Sequence, residues 1–554
     1  MGESSGARVL ALVEGLAAVA LFTAVLRAVA PALLSRFFAH LRSKSVLLLM
    51  SVAVLLGFVA ILAVNTAYAG FLDHIEPSLV AISWLFRKGA PLYHPLPFVD
   101  RYSMLYGPSC FLPYAGAFWL GGGSTIAAKL VVAATDALTL FLLFRTFRSL
   151  FDRSGALIAV ALLLVIAHAL RPNHYFFQVR GDALIICASA LGLFGATRRS
   201  RWGLLALAVG VALLVDSKFT GLIYAIPLFA LVIETHGWRV AAGVVAAAGA
   251  LATLPFLLPN VSIRQYLSWI QLATGHPRSF TDLRATLLAL PILALPLPLI
   301  VGRAPWKDAR LLDFFRANRA RALALGVSLA LATIASTRIG AGSHHLLPLL
   351  PALGYEYARL HRVVKASPQT AEASFGYGLL WCCAALVLSV RIGGGLREVL
   401  LPWTQWTWAR DVSSDVTSFV SRQRGHRIQM GYGDTADPVT QYRTEIAFAT
   451  DRLMLDPEAI NDMDLDGVQI PKATFEALES CTADVWLIPK GKAPFALNNE
   501  FSDLYPQLIA PRPMFSVAFR NAFIQHYSKT ETTKYFDVWR CNPAKPDALA
   551  TGDP

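Results

Sequence analysis

Near-continuous apolar stretches recur from residue 8 to residue 394, each close to the roughly 20 residues that carry a helix through a hydrocarbon core about 30 Å thick. No water reaches the backbone at that depth, so such stretches must close their own hydrogen bonds as helices or as a sealed barrel. Runs such as ALIAVALLLVIAHAL at 156–170 lack the alternation of an outer-membrane strand, which selects helices. Only 15% of the 554 residues are charged, against about 25% in an ordinary soluble protein. That excludes a soluble enzyme and predicts an all-α polytopic membrane domain with about twelve transmembrane helices. The spans fall at about 8–34, 45–68, 124–146, 155–170, 183–197, 202–216, 218–235, 238–258, 284–302, 322–337, 346–362 and 376–394. Residues 8–34 lack the basic start and cleavage site of a secretory signal and read as a retained helix that either spans or lies along the surface.

The net charge of +13 divides unevenly. Residues 1–394 hold 33 Lys and Arg against 15 Asp and Glu, a net +18, whereas 395–554 hold 16 against 21, a net −5. The basic residues cluster in short connections, at Arg36/Arg42/Lys44, Arg145/Arg148/Arg153, Arg198/Arg199/Arg201, Arg239, Arg303 to Arg321 and Arg359/Arg362/Lys365. They alternate with weakly charged connections at 69–123, 171–182, 216–219, 259–283 and 338–345. One orientation satisfies this bias throughout, with the basic loops cytoplasmic, so the high pI sets topology and predicts no nucleic-acid partner.

Two regions follow: a transmembrane domain over 1–394, with a long first outer loop at 69–123, and a small soluble non-cytoplasmic α/β domain over 395–554. Three tryptophans in LPWTQWTW at 401–408 suggest an interfacial belt between them. In the tail, 427–433, 484–489 and 534–541 read as strands and 472–480 as a helix. Cys110, Cys187, Cys382 and Cys383 are placed in apolar spans. Cys481 and Cys541 stand alone in the tail, where an oxidising compartment predicts a disulfide between them; two separate buried thiols are the other reading. No cysteine or histidine spacing suggests structural zinc.

The first outer loop carries the strongest chemical signal. Asp73 and Glu76 stand three apart just after a span, a spacing that puts both carboxylates on one face if the helix continues. Ionisable groups at membrane depth are costly and usually functional. An amphipathic segment, a Gly-Ala-Pro-Leu-Tyr turn at 89–93 and Tyr106-Gly107-Pro108 follow. Farther on come Val-Arg180-Gly-Asp182-Ala-Leu, Ser-Lys218-Phe-Thr-Gly-Leu and, at 340–353, GAGSHHLLPLLPAL with His344 and His345.

This order of motifs over 70–350 resembles the glycosyltransferase-C superfamily, polytopic enzymes that use polyprenyl- or dolichyl-phosphate-linked sugars. The family pattern often has adjacent acids where this chain has Asp73-His74-Ile75-Glu76, so the resemblance does not choose the base. It implies sugar transfer from a polyprenyl-phosphate donor to a lipid, glycan or protein acceptor on the non-cytoplasmic side, with inversion by direct displacement. Asp73 or Glu76 would deprotonate or orient the acceptor hydroxyl. Arg180, Lys218, Arg338 and His344 or His345 would steady the departing lipid phosphate. Tyr93, Tyr106 and Asp182 complete the implied substrate site. Asp73 and Glu76 suit magnesium or manganese, although no ligand set demands a metal. Plainer roles compete for each: a solvated loop start or salt bridge for the two acids, a local ion pair for Arg180 and Asp182, a snorkelling Lys218, interfacial histidines. Asp136 and Asp216, within or ending spans, have no assigned role.

A transporter or flippase is the main rival, but internal repeats and paired interrupted helices, its expected marks, are missing. A polymerase or ligase would centre on a late outer loop, and a non-catalytic scaffold would tolerate loss of Glu76. The Ala-, Leu- and Arg-rich composition suggests a bacterial inner membrane.

Overall fold

The computed structural model describes residues 44–170, 176–294, 309–365 and 395–542. The expected spans at 8–34 and 376–394, Cys382 and Cys383, and the end of the 284–302 span lie outside the described residues. The helical part contains α1 (Lys44–Ala67), α2 (Ile75–Arg87), α3 (Leu112–Gly121), α4 (Thr125–Phe147), α5 (Arg153–Leu170), α6 (Gly181–Ala196) and α7 (Arg201–Ser217). It continues with α8 (Gly221–His236), α9 (Trp238–Thr253), α10 (Ile263–Gly275), α11 (Phe280–Ala294), α12 (Ala309–Ala317), α13 (Arg319–Ala335) and α14 (Leu350–Lys365). Among the described residues four segments, Ser45–Ala67, Thr125–Phe147, Arg153–Leu170 and Trp238–Leu257, are long and apolar enough to cross a bilayer, and α6 and α8 are shorter apolar helices. The expected dozen crossings is therefore not reproduced by length and apolarity alone.

Leu49, Leu56, Trp202 and Trp238 are each more than 60% exposed, apolar surface that suits lipid and not water. Between helices the contacts are close. A Cβ at Gly195 would strike the Leu207 backbone, and one at Gly210 the backbone of Ala188 and Gly192, so α6 and α7 meet through glycines as membrane helices do.

The first outer loop is mostly buried. Helix α2 carries Pro77 in its first turn, where the missing N–H costs nothing, and stops at Lys88-Gly89, with Gly89 at φ 94°. Because α1 ends at Ala67 and α2 starts at Ile75, Asp73 precedes the helix that holds Glu76, and the single-face reading of the pair is corrected. Cys110 sits in a 3-10 turn, Pro108–Cys110, and not in a span.

The C-terminal part opens with α15 (Gly395–Thr404) and α16 (Trp406–Arg422), followed by β1 (Ile428–Met430), α17 (Arg443–Thr450), α18 (Pro457–Leu465), α19 (Lys472–Glu479), β2 (Val485–Pro489), α20 (Glu500–Leu504), α21 (Val517–His526), β3 (Tyr527–Thr532) and β4 (Phe536–Cys541). The sheet order is β1-β2-β4-β3, with β1 parallel to β2 and the other pairs antiparallel. Strand β2 reads as an unbroken apolar run because both its faces are covered. Val485 and Leu487 pack with Val412, Val416 and Phe419 of α16, whereas Trp486 and Ile488 pack with Phe519 and Phe523 of α21. Cys481 and Cys541 form the expected disulfide, with Cα atoms 5.8 Å apart.

This sheet domain is seated on the first outer loop. Arg101 N donates to Met454 O and Asp456 N to Arg101 O, both at 2.7 Å. Asp451 accepts from Trp84 Nε1 and Lys88 Nζ at 2.9 Å each. Arg443 and Asp456, at most 1% exposed, pair at 3.1 Å, and Arg443 Nη2 also donates to Ser78 Oγ at 2.6 Å and to His74 O at 3.1 Å.

Candidate active site

The chain leaves α1 through Tyr68 and Gly70, whose carbonyls accept from Lys129 Nζ of α4 at 2.7 and 2.6 Å. It then turns over Glu76, which is fully buried. One carboxylate oxygen accepts from Leu72 N at 2.6 Å and Asp73 N at 3.0 Å, and the other from Val179 N at 2.8 Å. Burial pushes this carboxyl up to about 6 against the opposing pull of Lys129 and the backbone N–H groups. With three backbone donors on its two oxygens, Glu76 ties the loop to the entry of α6. The expectation that Asp73 and Glu76 jointly hold a metal is corrected, since Glu76 has its oxygens engaged.

Asp73 is different, with a side chain 15% exposed. Its Oδ1 accepts from Ile75 N at 3.0 Å and lies 3.1 Å from His74 Nδ1, and its Oδ2 pairs with Arg180 Nη1. Burial works to raise this carboxyl, but the Arg180 guanidinium, His74 and the Ile75 N–H outweigh it and hold the pKa at about 2. Arg180 Nε lies 3.2 Å from Asp182 Oδ2, so a buried guanidinium is gripped by two carboxylates, one from the first outer loop and one from the first turn of α6.

Beside this triad stand Tyr106 and Lys218, with the Lys218 Nζ 5.7 Å from the Tyr106 ring centre. Their approach depends on Gly107. Its N–H donates to Ser217 O at 3.0 Å, and a Cβ there would collide with the carbonyl of Asp216. Asp216 in turn accepts from Ser109 N at 2.9 Å and from Ser109 Oγ, which gives that acid a role the sequence left open. Tyr93 is 1% exposed and donates to Tyr106 O at 2.8 Å, a strut beneath the site and not a surface for substrate. His345 is buried, with Nδ1 3.2 Å from Tyr224 Oη and within electrostatic reach of Lys218 and Asp182. The His344 ring lies 4.7 Å from it. Both histidines are buried within the protein. Arg338 is not brought to this group: its Nη1 donates to the carbonyls of Thr274 and His276, and pins that turn instead.

The sequence missed what the C-terminal domain adds. Half-exposed His74 turns Nε2 toward Glu458 Oε2 at 3.5 Å and Glu500 Oε2 at 3.8 Å. Burial opposes protonation of this imidazole, but Glu458, Asp73 and Glu500 raise its pKa to about 9. No spacing signals a set drawn from α2, α18 and α20.

Residues 108–263, which include Arg180, Asp182 and Lys218, match the family model for dolichyl-phosphate-mannose-protein mannosyltransferase. The crystal structure of ArnT from Cupriavidus metallidurans in the apo state aligns with a TM-score of 0.52 at 13% identity, over 89% of this chain and 98% of that one. The same protein bound to undecaprenyl phosphate gives 0.49 at 15% identity, over the same shares. The oligosaccharyltransferase of Archaeoglobus fulgidus in complex with zinc and sulfate gives 0.44 at 12%, over 85% of this chain and 69% of that one. Among curated proteins no sequence matches. The resemblance read from the motifs therefore holds at the level of architecture, and the chain has the glycosyltransferase-C fold.

Proposed function

We propose that the protein is an integral membrane glycosyltransferase that moves a sugar from a polyprenyl-phosphate-linked donor to a lipid, glycan or protein acceptor outside the cytoplasm. The observation that carries this is the junction of Asp73, Arg180 and Asp182 beside Lys218, in a chain whose residues 108–263 match a family named for a dolichyl-phosphate sugar donor. The disulfide supports placing the C-terminal domain in an oxidising, non-cytoplasmic compartment, and the basic loops support the same orientation.

Asp73 is assigned as the base and Glu76 as its support, since only Asp73 reaches solvent. A carboxylate held at about 2 is a weak base while Arg180 grips it. An arriving lipid phosphate competes for Arg180 and Lys218, and freeing Asp73 from that cation raises its basicity. The acceptor oxygen then bonds to the anomeric carbon as the bond from that carbon to the phosphate oxygen breaks, and the acceptor proton passes to Asp73. The polyprenyl phosphate leaves against Arg180 and Lys218, with inversion at the sugar carbon. A divalent metal next to Asp73 would supply further charge neutralisation.

The test is transfer of labelled sugar from a panel of polyprenyl-phosphate donors by the purified protein in lipid. Asp73→Asn is expected to lose about 10²–10⁴-fold in rate, the scale of a general base, while its melting temperature falls no further than that of Arg180→Gln, which breaks the same ion pair. Lipid transbilayer movement with no transfer from any donor would replace this reading with the flippase.

A further inference from the structure

We propose that His74, Glu458 and Glu500 form a divalent-metal site, suited to zinc, that fastens the first outer loop to the C-terminal domain. The three ligating atoms, His74 Nε2 and one oxygen from each glutamate, lie within 4.8 Å of one another. Around a tetrahedral zinc with bonds of about 2.0–2.1 Å, ligand atoms stand about 3.3–3.5 Å apart. The His74–Glu458 separation of 3.5 Å already meets that spacing, and the 3.8 Å to Glu500 meets it after a shift of a few tenths of an ångström.

Two further observations point to a cation. First, Asp73 Oδ1 lies 3.1 Å from His74 Nδ1, which holds the proton on that nitrogen and leaves the lone pair of Nε2 directed at the glutamates. A carboxylate behind the far nitrogen of a ligating imidazole is the usual support of metal-bound histidine. Second, the Glu458 side chain is only 9% exposed, and among the described residues no hydrogen-bond donor reaches its carboxylate, which is aimed at His74 and at the second glutamate. A buried carboxylate facing another carboxylate is stabilised by positive charge between them, the alternative being a proton on one of the pair. The rival occupant is a proton on His74, one charge set against Glu458, Glu500 and Asp73.

The ligands come from three separated elements: His74 from the N-cap of α2, Glu458 from the first turn of α18 and Glu500 from the start of α20. Glu458 is well fixed, because the cap of its helix, Asp456, is held by Arg443. His74 and Glu500, with side chains 46% and 34% exposed, leave a path for the ion and for water on an open fourth position. One nitrogen and two carboxylate oxygens match zinc, with manganese the next candidate. A metal here pulls on His74 and through it orients Asp73, a consequence that rests on the reaction proposed above, whereas the site itself does not.

The test uses the full chain purified in detergent, stripped with chelator, given Zn²⁺ and desalted, with metal content measured by mass spectrometry. The parent is expected to keep one equivalent of zinc that His74→Gln and Glu458→Gln both lack, and Zn²⁺ is expected to raise the melting temperature of the parent alone. Glu500→Gln, at a more exposed position, guards against loss by misfolding and is expected to weaken zinc binding at least tenfold. Equal zinc content and equal Zn²⁺ response in parent and all three variants would overturn the site, as would a parent whose stability ignores both Zn²⁺ and chelator. If zinc binds as expected but no donor yields transfer, the metal site stands and the reaction assignment falls.

Discussion

Replacing Arg443 by Met is expected to cost about 3–5 kcal/mol, because it leaves Asp456 charged and buried without its cation. The arithmetic begins with exposure: Arg443 is 1% and Asp456 0% exposed. After the change Asp456 keeps only the Ser78 hydroxyl, at 2.8 and 3.0 Å, and the Glu458 N–H at 3.1 Å. Ser78 Oγ and the His74 carbonyl each lose the guanidinium donor. Asp456→Asn keeps the capping oxygen of α18 and strands Arg443, so it should cost a similar amount. The double variant removes both charges and is expected to recover part of the loss, with a coupling of about 2 kcal/mol in a double-mutant cycle. For a unit of this size each kcal/mol shifts the melting temperature by about 2–4 °C, so each single variant should melt about 10 °C lower in lipid or detergent. Limited proteolysis should then cut the C-terminal domain and the first outer loop together, before the membrane helices. If both single variants melt within about 2 °C of the parent, water reaches the pair and the argument from burial is wrong.

Three more outcomes are expected. Arg180→Gln removes the main force that lowers the Asp73 pKa from 3.8 to about 2, a shift equivalent to about 2 kcal/mol. A depressed carboxyl contributes stability that is present above its unfolded pKa and lost as pH falls through the folded one; without Arg180 burial raises that pKa, so the melting gap between parent and variant should be widest at neutral pH and close as pH falls from about 4 toward 2. Cys481→Ser with Cys541→Ser opens a loop of 60 residues and should cost about 4 kcal/mol by loop entropy, read as a lower melting temperature equal to that of the reduced parent. Gly107→Ala forces a methyl into the Asp216 carbonyl and should fail to accumulate in the membrane, while Gly116→Ala, with nothing within 4 Å of the added carbon, accumulates normally.

The helices of the membrane part were legible because their signal is local: α1, α4, α5 and α9 are each an apolar run long enough to be recognised in isolation. Strands β1, β2 and β4 were legible too, β2 as a short apolar run and β1 and β4 as short segments that mix apolar or aromatic residues with polar ones. Strand β3 was not, since YSKTET is exposed along five of its six residues and shows no alternation. Asp73, Arg180 and Asp182 were visible as motifs, and their meeting in space agrees with the motif order. The division of labour between Asp73 and Glu76 was hidden, because spacing alone does not reveal that α1 stops at Ala67 and that three backbone N–H groups converge on Glu76. Arg338 was misplaced by its company in the sequence: the carbonyls of Thr274 and His276 hold it away from Lys218.

The C-terminal domain is better understood as a wall of the site than as a cover laid over it. A cover would touch the first loop through polar rims, yet Ala447, Leu453, Ala459 and Met463 share one apolar cluster with Leu79, Ile82, Trp84 and Tyr93. Backbone hydrogen bonds run between the two at Arg101, and the loop's Ser78 hydroxyl bonds to both members of the Arg443–Asp456 pair while its His74 carbonyl accepts from Arg443. Contacts of that kind order both partners together, so the loop that presents Asp73 and the domain that presents Glu458 form or melt as one cooperative unit. The position of the candidate base therefore depends on residues that come last in the chain, where no motif of the membrane part reaches.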